Sequence, residues 1–245
     1  MTALEQRRRL VVPAGQPADS PPEERGLPRD GVRLLVARPG GVEHRTFVDL
    51  PDLLDPGDLV VVNTSTTLPA ALTARRAGGA TAPLHVAPPL DDGTWVVELR
   101  TPDNTGPDHD LRPGDVLALA GGVTLRVVAG HPRPDRAGSR LWRAAPAPPT
   151  PVVPFLQRHG RPVRYGHAQR SWPLRLFQNV YADPHHVGSA EMASAGRPLT
   201  ERVLVHLLRN GVRVAPVVLH AGLSSPEAHE PPAPERFVVP EPTAA

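Results

Sequence analysis

Continuous apolar runs at VRLLVA (32–37), DLVVVN (58–63) and VRVAPVVLHAG (212–222) have the pattern of buried strands. Gly40-Gly41 reads as a turn, and VEHRTFVDL (42–50) alternates as a hairpin partner to the first run. LPDLLDPGD (50–58) reads as a short helical turn closed by Pro-Gly, and FLQRHG (155–160) as one turn with a glycine stop. LFQNVYA (176–182) is strand-like, and TERVLVHLLRNGV (200–212) is an amphipathic helix with Thr200 as N-cap and Asn210-Gly211 as C-cap. Between Thr73 and Thr150 the texture changes to short alternating runs, APLHVAP, TWVVELR, DVLALA, VTLRVVAG and SRLWRAA, divided by Gly, Pro and Asp. Short strands at that spacing, with no helix among them, predict a small β-barrel or sandwich. PAPPTPVVP (146–154) reads as a stiff linker, and the tail from Ser224 as loop. The expected organisation is an α/β domain built from 29–72 and 151–245, an inserted small β-barrel at 73–150, and an extended or poorly ordered segment at 1–28.

Composition narrows the chemistry. In 245 residues there is no Cys, which removes thiol nucleophiles, thiolate metal sites and disulfides. All 27 basic residues are Arg, so no lysine serves as Schiff-base former or general base. The formal net charge of +2 is too small to argue nucleic-acid binding by itself. No apolar run has the length of a signal peptide or a membrane span, so a cytoplasmic protein with no membrane partner is expected, as a monomer.

Three segments converge on one expected site. NTSTTLPA (63–70) follows one strand and His220 ends another, and ligands of open α/β sheets bind beyond such strand ends. The stretch GSAEMASAGRPLT (188–200) precedes the helix and is built of small residues around one acid, Glu191, and one base, Arg197. Small residues let another group approach the backbone closely, either a ligand at a helix entrance or a packing neighbour. Taken alone, NTSTTLPA also reads as a solvated loop and His220 as a hydrogen-bonded strand-end histidine. The segment QRHGRPVRYGHAQRSWPLR (157–175) interleaves Arg158, Arg161, Arg164 and Arg170 with Tyr165 and Trp172, a composition suited to RNA and equally to a solvated loop. His159, His167, His185 and His186 lack zinc-site spacing, so no metal is expected, and dinucleotide, Walker and G-x-S-x-G motifs are absent.

RDGVRLLVA (29–37), DLPDLLDPGDLVVVN (49–63), Pro69-Ala70, FLQRHG, QNVYA (178–182), GSAEMASAGRPLT and VVLHAGLSS (217–225) occur in an order and spacing that resemble the S-adenosylmethionine:tRNA ribosyltransferase-isomerase family of queuosine biosynthesis. The resemblance implies an α/β domain with an inserted β-barrel. It implies S-adenosylmethionine as co-substrate, whose ribosyl part is transferred and isomerised onto 7-aminomethyl-7-deazaguanine in tRNA to give epoxyqueuosine, with adenine and methionine leaving. The implied substrate-binding residues are Asn63, Ser65, Pro69, Ser194, Ala195 and Gly196; Arg197, a charge that the family's usual pattern lacks, as is Glu191, is a further substrate-binding candidate. Glu191 and His220 are the catalytic candidates, and Arg158, Arg161, Arg164 and Arg170 the RNA contacts. The family's Asn-Asp-Thr-Arg becomes Asn63-Thr64-Ser65-Thr66, and its Pro-Thr-Ala-Gly-Leu-His-Phe-Thr becomes Ala193 through Thr200. Its C-terminal Gly-Thr-Thr and Phe-His-x-Pro motifs are not found, so the chain is expected to be a truncated, divergent member with weak or absent turnover and retained adenosyl binding. The alternatives are an S-adenosylmethionine-dependent enzyme acting on a small molecule and a nucleoside- or RNA-binding relative without turnover.

Overall fold

A computed structural model describes residues 18, 20–88, 90–133, 140–164, 170–223 and 235–244. Residues 1–17, Tyr165, His167 and most of the expected tail loop lie outside the described residues. The strands are β1 (Arg33–Arg38), β2 (Gly41–Thr46), β3 (Leu59–Asn63), β4 (Ser65–Thr67), β5 (Ala71–Arg75), β6 (Thr81–Val86), β7 (Trp95–Leu99), β8 (Val116–Ala118), β9 (Thr124–His131), β10 (Leu141–Ala147), β11 (Asp183–Ser189), β12 (Arg213–Leu219) and β13 (Phe237–Val238). The helices are α1 (Val152–His159), α2 (Glu201–Arg209) and α3 (Glu241–Ala244).

Strands β5 to β10 close into an antiparallel barrel in the order β10-β7-β6-β5-β8-β9, with β9 pairing back to β10. The alternation seen in the sequence sets the inside and the outside. On β9, Leu125 and Val127 are buried while Arg126 and Val128 face out. Helix α1 lays Val152, Phe155 and Leu156 on this core, with the Phe155 ring 5.3 Å from that of Trp95. The helix starts inside the stretch read as a linker. Pro151 stands at its N-cap and Pro154 in its first turn, where backbone N–H groups have no intrahelical acceptor to lose. The chain then returns to the start of β5. Arg161 and Ala71 exchange both backbone hydrogen bonds at 2.8 Å.

The flanking segments carry two parallel pairs, β3 with β12 and β4 with β11. Helix α2 connects β11 to β12 and buries Val203 and Leu207 against Val62, Leu199 and Val212. The architecture is therefore mixed α/β with a closed barrel.

Three expectations are corrected. LFQNVYA is not a strand: Leu174–Phe177 is a 3-10 turn and the strand is the following Asp183–Ser189. The side-chain amide of Gln178 takes the place of a ladder neighbour, accepting from the Thr67 N–H at 3.0 Å and donating to the Thr67 carbonyl at 2.6 Å. DPHHVGS, a poor strand composition, is held in strand form by tertiary pairing to β4. The β1–β2 hairpin forms, but it is not a buried strand pair, since Leu35 is 60% exposed. The N-terminal segment read as poorly ordered contains a 3-10 turn at Pro22–Arg25 that ion pairs tie to the rest.

Candidate functional site

Beyond the ends of β3 and β12 lies a polar cluster. Asn63 staples these ends together: its Nδ2 donates to the Leu219 carbonyl at 2.8 Å, and its Oδ1 accepts from the N–H groups of Leu219 and Ser65, each at 3.0 Å. Ser65 Oγ lies 2.7 Å from His220 Nδ1 and 2.7 Å from Ser189 Oγ. Burial first, then the neighbouring His186 and Arg236, push the His220 imidazole below its ordinary value, so it is neutral at pH 7. Gly188 makes room for this ring, since a Cβ there would lie 2.5 Å from His220 Nδ1 and 2.7 Å from Cε1.

A cavity of about 460 Å³ opens directly after β11. Its wall takes Ala190, Glu191, Met192, Ser194 and Arg197 from the small-residue stretch, Thr67 from β4, Trp172 and Phe177, and Arg164 and Arg170. Glu191 is the single carboxylate in that wall among the described residues. The sequence-derived candidates thus divide between two places. Glu191, Ser194, Arg197, Arg164 and Arg170 line the cavity. Asn63, Ser65 and His220 form the strand-end cluster and are not among the cavity's lining residues. Pro69 is buried, and its carbonyl sits against Gly160. Ala195 is exposed on the 3-10 turn Ser194–Gly196, and the Gly196 carbonyl accepts from the Tyr181 hydroxyl at 3.0 Å. A Cβ at Gly196 would collide with that hydroxyl, whose pKa burial pushes up to about 12. Gly188 and Gly196 therefore serve packing neighbours, and of the residues between them Ala190, Glu191, Met192 and Ser194 line the cavity.

Arg197 is buried and committed. Its Nε donates to the Leu176 carbonyl at 2.8 Å, and its Nη2 reaches both carboxylate oxygens of Glu23, at 2.9 and 2.6 Å. Glu23 also accepts from Arg29 at 3.0 Å, so the N-terminal turn is fastened beside a cavity wall that Ser20 and Pro21 help to form. The entrance of α2 is likewise met from within. The Thr200 hydroxyl donates to buried Asp30 at 2.6 Å instead of capping its own helix, and Arg202 binds the same carboxylate.

Both carboxyls lie below their ordinary values. For Asp30 the Arg202 hydrogen bond outweighs burial. For Glu23 burial opposes the shift, and the bonds from Arg197 and Arg29 overcome it. Depressed acids contribute stability that is present above their unfolded values, near pH 4, and is lost as pH falls through the lower folded-state values. Urea midpoints should therefore fall from pH 6 to pH 3. The Glu23→Gln/Asp30→Asn variant should begin lower and show a flatter fall, and an unchanged slope would contradict the assignment.

Of the remaining arginines, Arg158 ends α1 on its exposed side, and the Arg161 guanidinium donates to the Thr73 hydroxyl at 2.7 Å. The Arg164 carbonyl accepts from Asn104 at 2.7 Å. Thr67, Ser189 and Met192 lie in the two segments that the sequence marked, 63–70 and 188–200, without being singled out, and Phe177 was missed, because ordinary hydroxyl and apolar side chains give no signal before the strands are paired. No group of three or more His, Cys, Asp or Glu residues suited to a metal occurs among the described residues. Among the described residues, no helix is long and apolar enough to cross a membrane.

A closed antiparallel barrel beside an α/β part, with a cavity opening after β11 against Arg164 and Arg170, defines a mixed α/β protein of a recognisable kind. The sequence profile of the family described as queuosine biosynthesis protein matches residues 9–245, and the chain belongs to that family. It is 35% identical over 218 residues to the S-adenosylmethionine:tRNA ribosyltransferase-isomerase of Acidiphilium cryptum, covering 82% of this chain and 58% of that protein. It is 34% identical over 207 residues to the protein of the same name from Synechococcus sp. strain RCC307, covering 81% and 54%. A solved S-adenosylmethionine tRNA ribosyltransferase from Thermotoga maritima aligns at 24% identity and a TM-score of 0.32, covering 89% of this chain and 57% of that one. The chain thus spans little more than half the length of the curated relatives it matches.

Proposed function

We propose that the chain binds S-adenosylmethionine in the cavity under Ala190–Arg197 and acts on it as a ribosyltransferase-isomerase with a deazaguanine-modified tRNA as acceptor. Membership of the family and the names of its relatives support the reaction class. The observation that carries the reading is the cavity itself, whose 460 Å³ suits a ligand of this size. Its wall offers Trp172 and Phe177 as flat apolar surfaces for adenine, the hydroxyls of Thr67 and Ser194 for ribose, and Arg164 and Arg170 for a carboxylate. Arg197 holds the wall in place through Glu23. Glu191, the carboxylate of that wall, would take the proton next to the sulfonium, whose positive charge acidifies that C–H bond. The tRNA backbone would follow Arg158, Arg161, Arg164 and Arg170, and the barrel would be a unit inserted between the two halves of the α/β part.

The test is chromatographic detection of adenine with excess S-adenosylmethionine, with and without precursor tRNA. The reading expects slow adenine release, only when both are present, and its further loss in Glu191→Gln. Adenine released without tRNA would point to a small-molecule acceptor, and binding with no release to a nucleoside-binding relative.

A further inference from the structure

The Ser189–Ser65–His220 chain has a direction, which its distances decide. The Ala221 N–H is a fixed donor and gives its proton to Ser189 Oγ at 3.1 Å. Ser189 then has two acceptors, Ser65 Oγ at 2.7 Å and the Leu219 carbonyl at 3.4 Å, and the shorter contact has the normal hydroxyl length. Ser65 in turn has His220 Nδ1 at 2.7 Å or the His186 carbonyl at 3.5 Å, the second too long to hold a hydroxyl proton. The reversed chain would run from a protonated Nδ1 through Ser65. It would have to end either on the His186 carbonyl or, through Ser189, on the Leu219 carbonyl, and both final links are the long ones.

We infer that Ser189 and Ser65 order their protons toward His220, fixing it as the tautomer with an unprotonated Nδ1 and a protonated Nε2. His220 is then a hydrogen-bond donor for an incoming oxygen acceptor, and not a base at Nε2. Among the described residues Nε2 has no hydrogen-bond partner, and it is not a buried unsatisfied atom, so that edge is open to a ligand. Ser65 and Ser189 are positioning residues, acting through the imidazole. The inference holds whether or not the cavity takes S-adenosylmethionine.

Two-bond proton–nitrogen correlation NMR of the uniformly labelled chain at about pH 8, where histidine is neutral, reads the tautomer directly, with His220→Gln assigning the signals. The expected spectrum has Nδ1 in the unprotonated range and Nε2 in the protonated range. The reverse pattern, or an even mixture, overturns the inference. A second measurement uses the sign of a titration shift. A Ser65 hydroxyl that donates to Nδ1 opposes imidazolium formation, so Ser65→Ala should raise the His220 midpoint by about half a unit or more. His186 and Arg236 face the same ring and remain in the variant. A hydroxyl that accepted from Nδ1–H would favour the imidazolium, and its removal would lower the midpoint. A fall, or no change, overturns the inference.

Discussion

Replacing Glu98 with Ala is expected to cost about 3–5 kcal/mol, enough to unfold the barrel or leave it marginal. Glu98 is 1% exposed and lies opposite His85 in the β6–β7 register. Its Oε1 accepts from Arg140 at 3.0 Å and from Arg100 at 3.4 Å, and its Oε2 lies 3.4 Å from His85 Nδ1. Burial alone would raise its pKa, but the adjacent His85 ring and the two guanidinium groups hold it below the usual value. Removing the carboxylate takes away the acceptor that two buried arginines share, and breaking a buried ion pair by deleting one partner is strongly destabilising. The effect reaches the cavity. Arg100 fixes Asn104 through its Oδ1 and carbonyl, and Asn104 holds the Arg164 carbonyl at 2.7 Å, so the 162–164 wall hangs from the barrel's buried charges. Chemical denaturation of Glu98→Ala and Glu98→Gln measures the loss. A midpoint within error of wild type would show that the cluster does not hold the barrel.

Gly160→Ala is the second large effect expected, about 3 kcal/mol of destabilisation with distortion of the cavity. A Cβ at Gly160 would lie on the Pro69 carbonyl oxygen and 2.6 Å from the Leu156 carbonyl oxygen. Both obstacles are backbone, so no side chain can swing aside. The site is the seam where the chain leaving α1 meets the segment entering β5, and the obstructing Pro69 stands two residues after Thr67 of the cavity wall. The backbone angles of Gly160 are ordinary extended ones, so the demand is for space and not for a left-handed conformation. Gly78→Ala is the control, with nothing within 4 Å of its added Cβ, and should change stability by a few tenths of a kcal/mol. Equal melting temperatures for the two variants would refute the steric account.

The barrel was legible because alternation with period two and Gly/Pro punctuation are local signals, and each of its strands expresses them. β3 and β12 were legible as continuous apolar runs. The Asp183–Ser189 strand was not. Its residues carry no strand preference, and only the pairing to Ser65–Thr67 selects that conformation. LFQNVYA misled for the complementary reason: its apolar residues are used singly, Leu176 beneath the cavity wall and Tyr181 against α2, while Gln178 imitates a backbone neighbour. The small-residue stretch was readable as a place of close approach. Which groups approach, the His220 ring at Gly188 and the Tyr181 hydroxyl at Gly196, depends on contacts 15 to 32 residues away in sequence. Arg197 and Glu23 show the same limit. Their pairing across 174 residues turns an apparent ligand-binding arginine into a structural tie.

Calorimetric titration of the chain with S-adenosylmethionine, beside a Ser194→Trp variant, tests the central claim most directly. Ser194 is exposed at the cavity wall, so an indole there fills the cavity without disturbing the core. Saturable binding to the wild-type chain, abolished in a variant whose circular dichroism and melting temperature are unchanged, is the expected result. No binding to wild type, or equal binding by the filled variant, would contradict the assignment of this cavity to the adenosyl ligand.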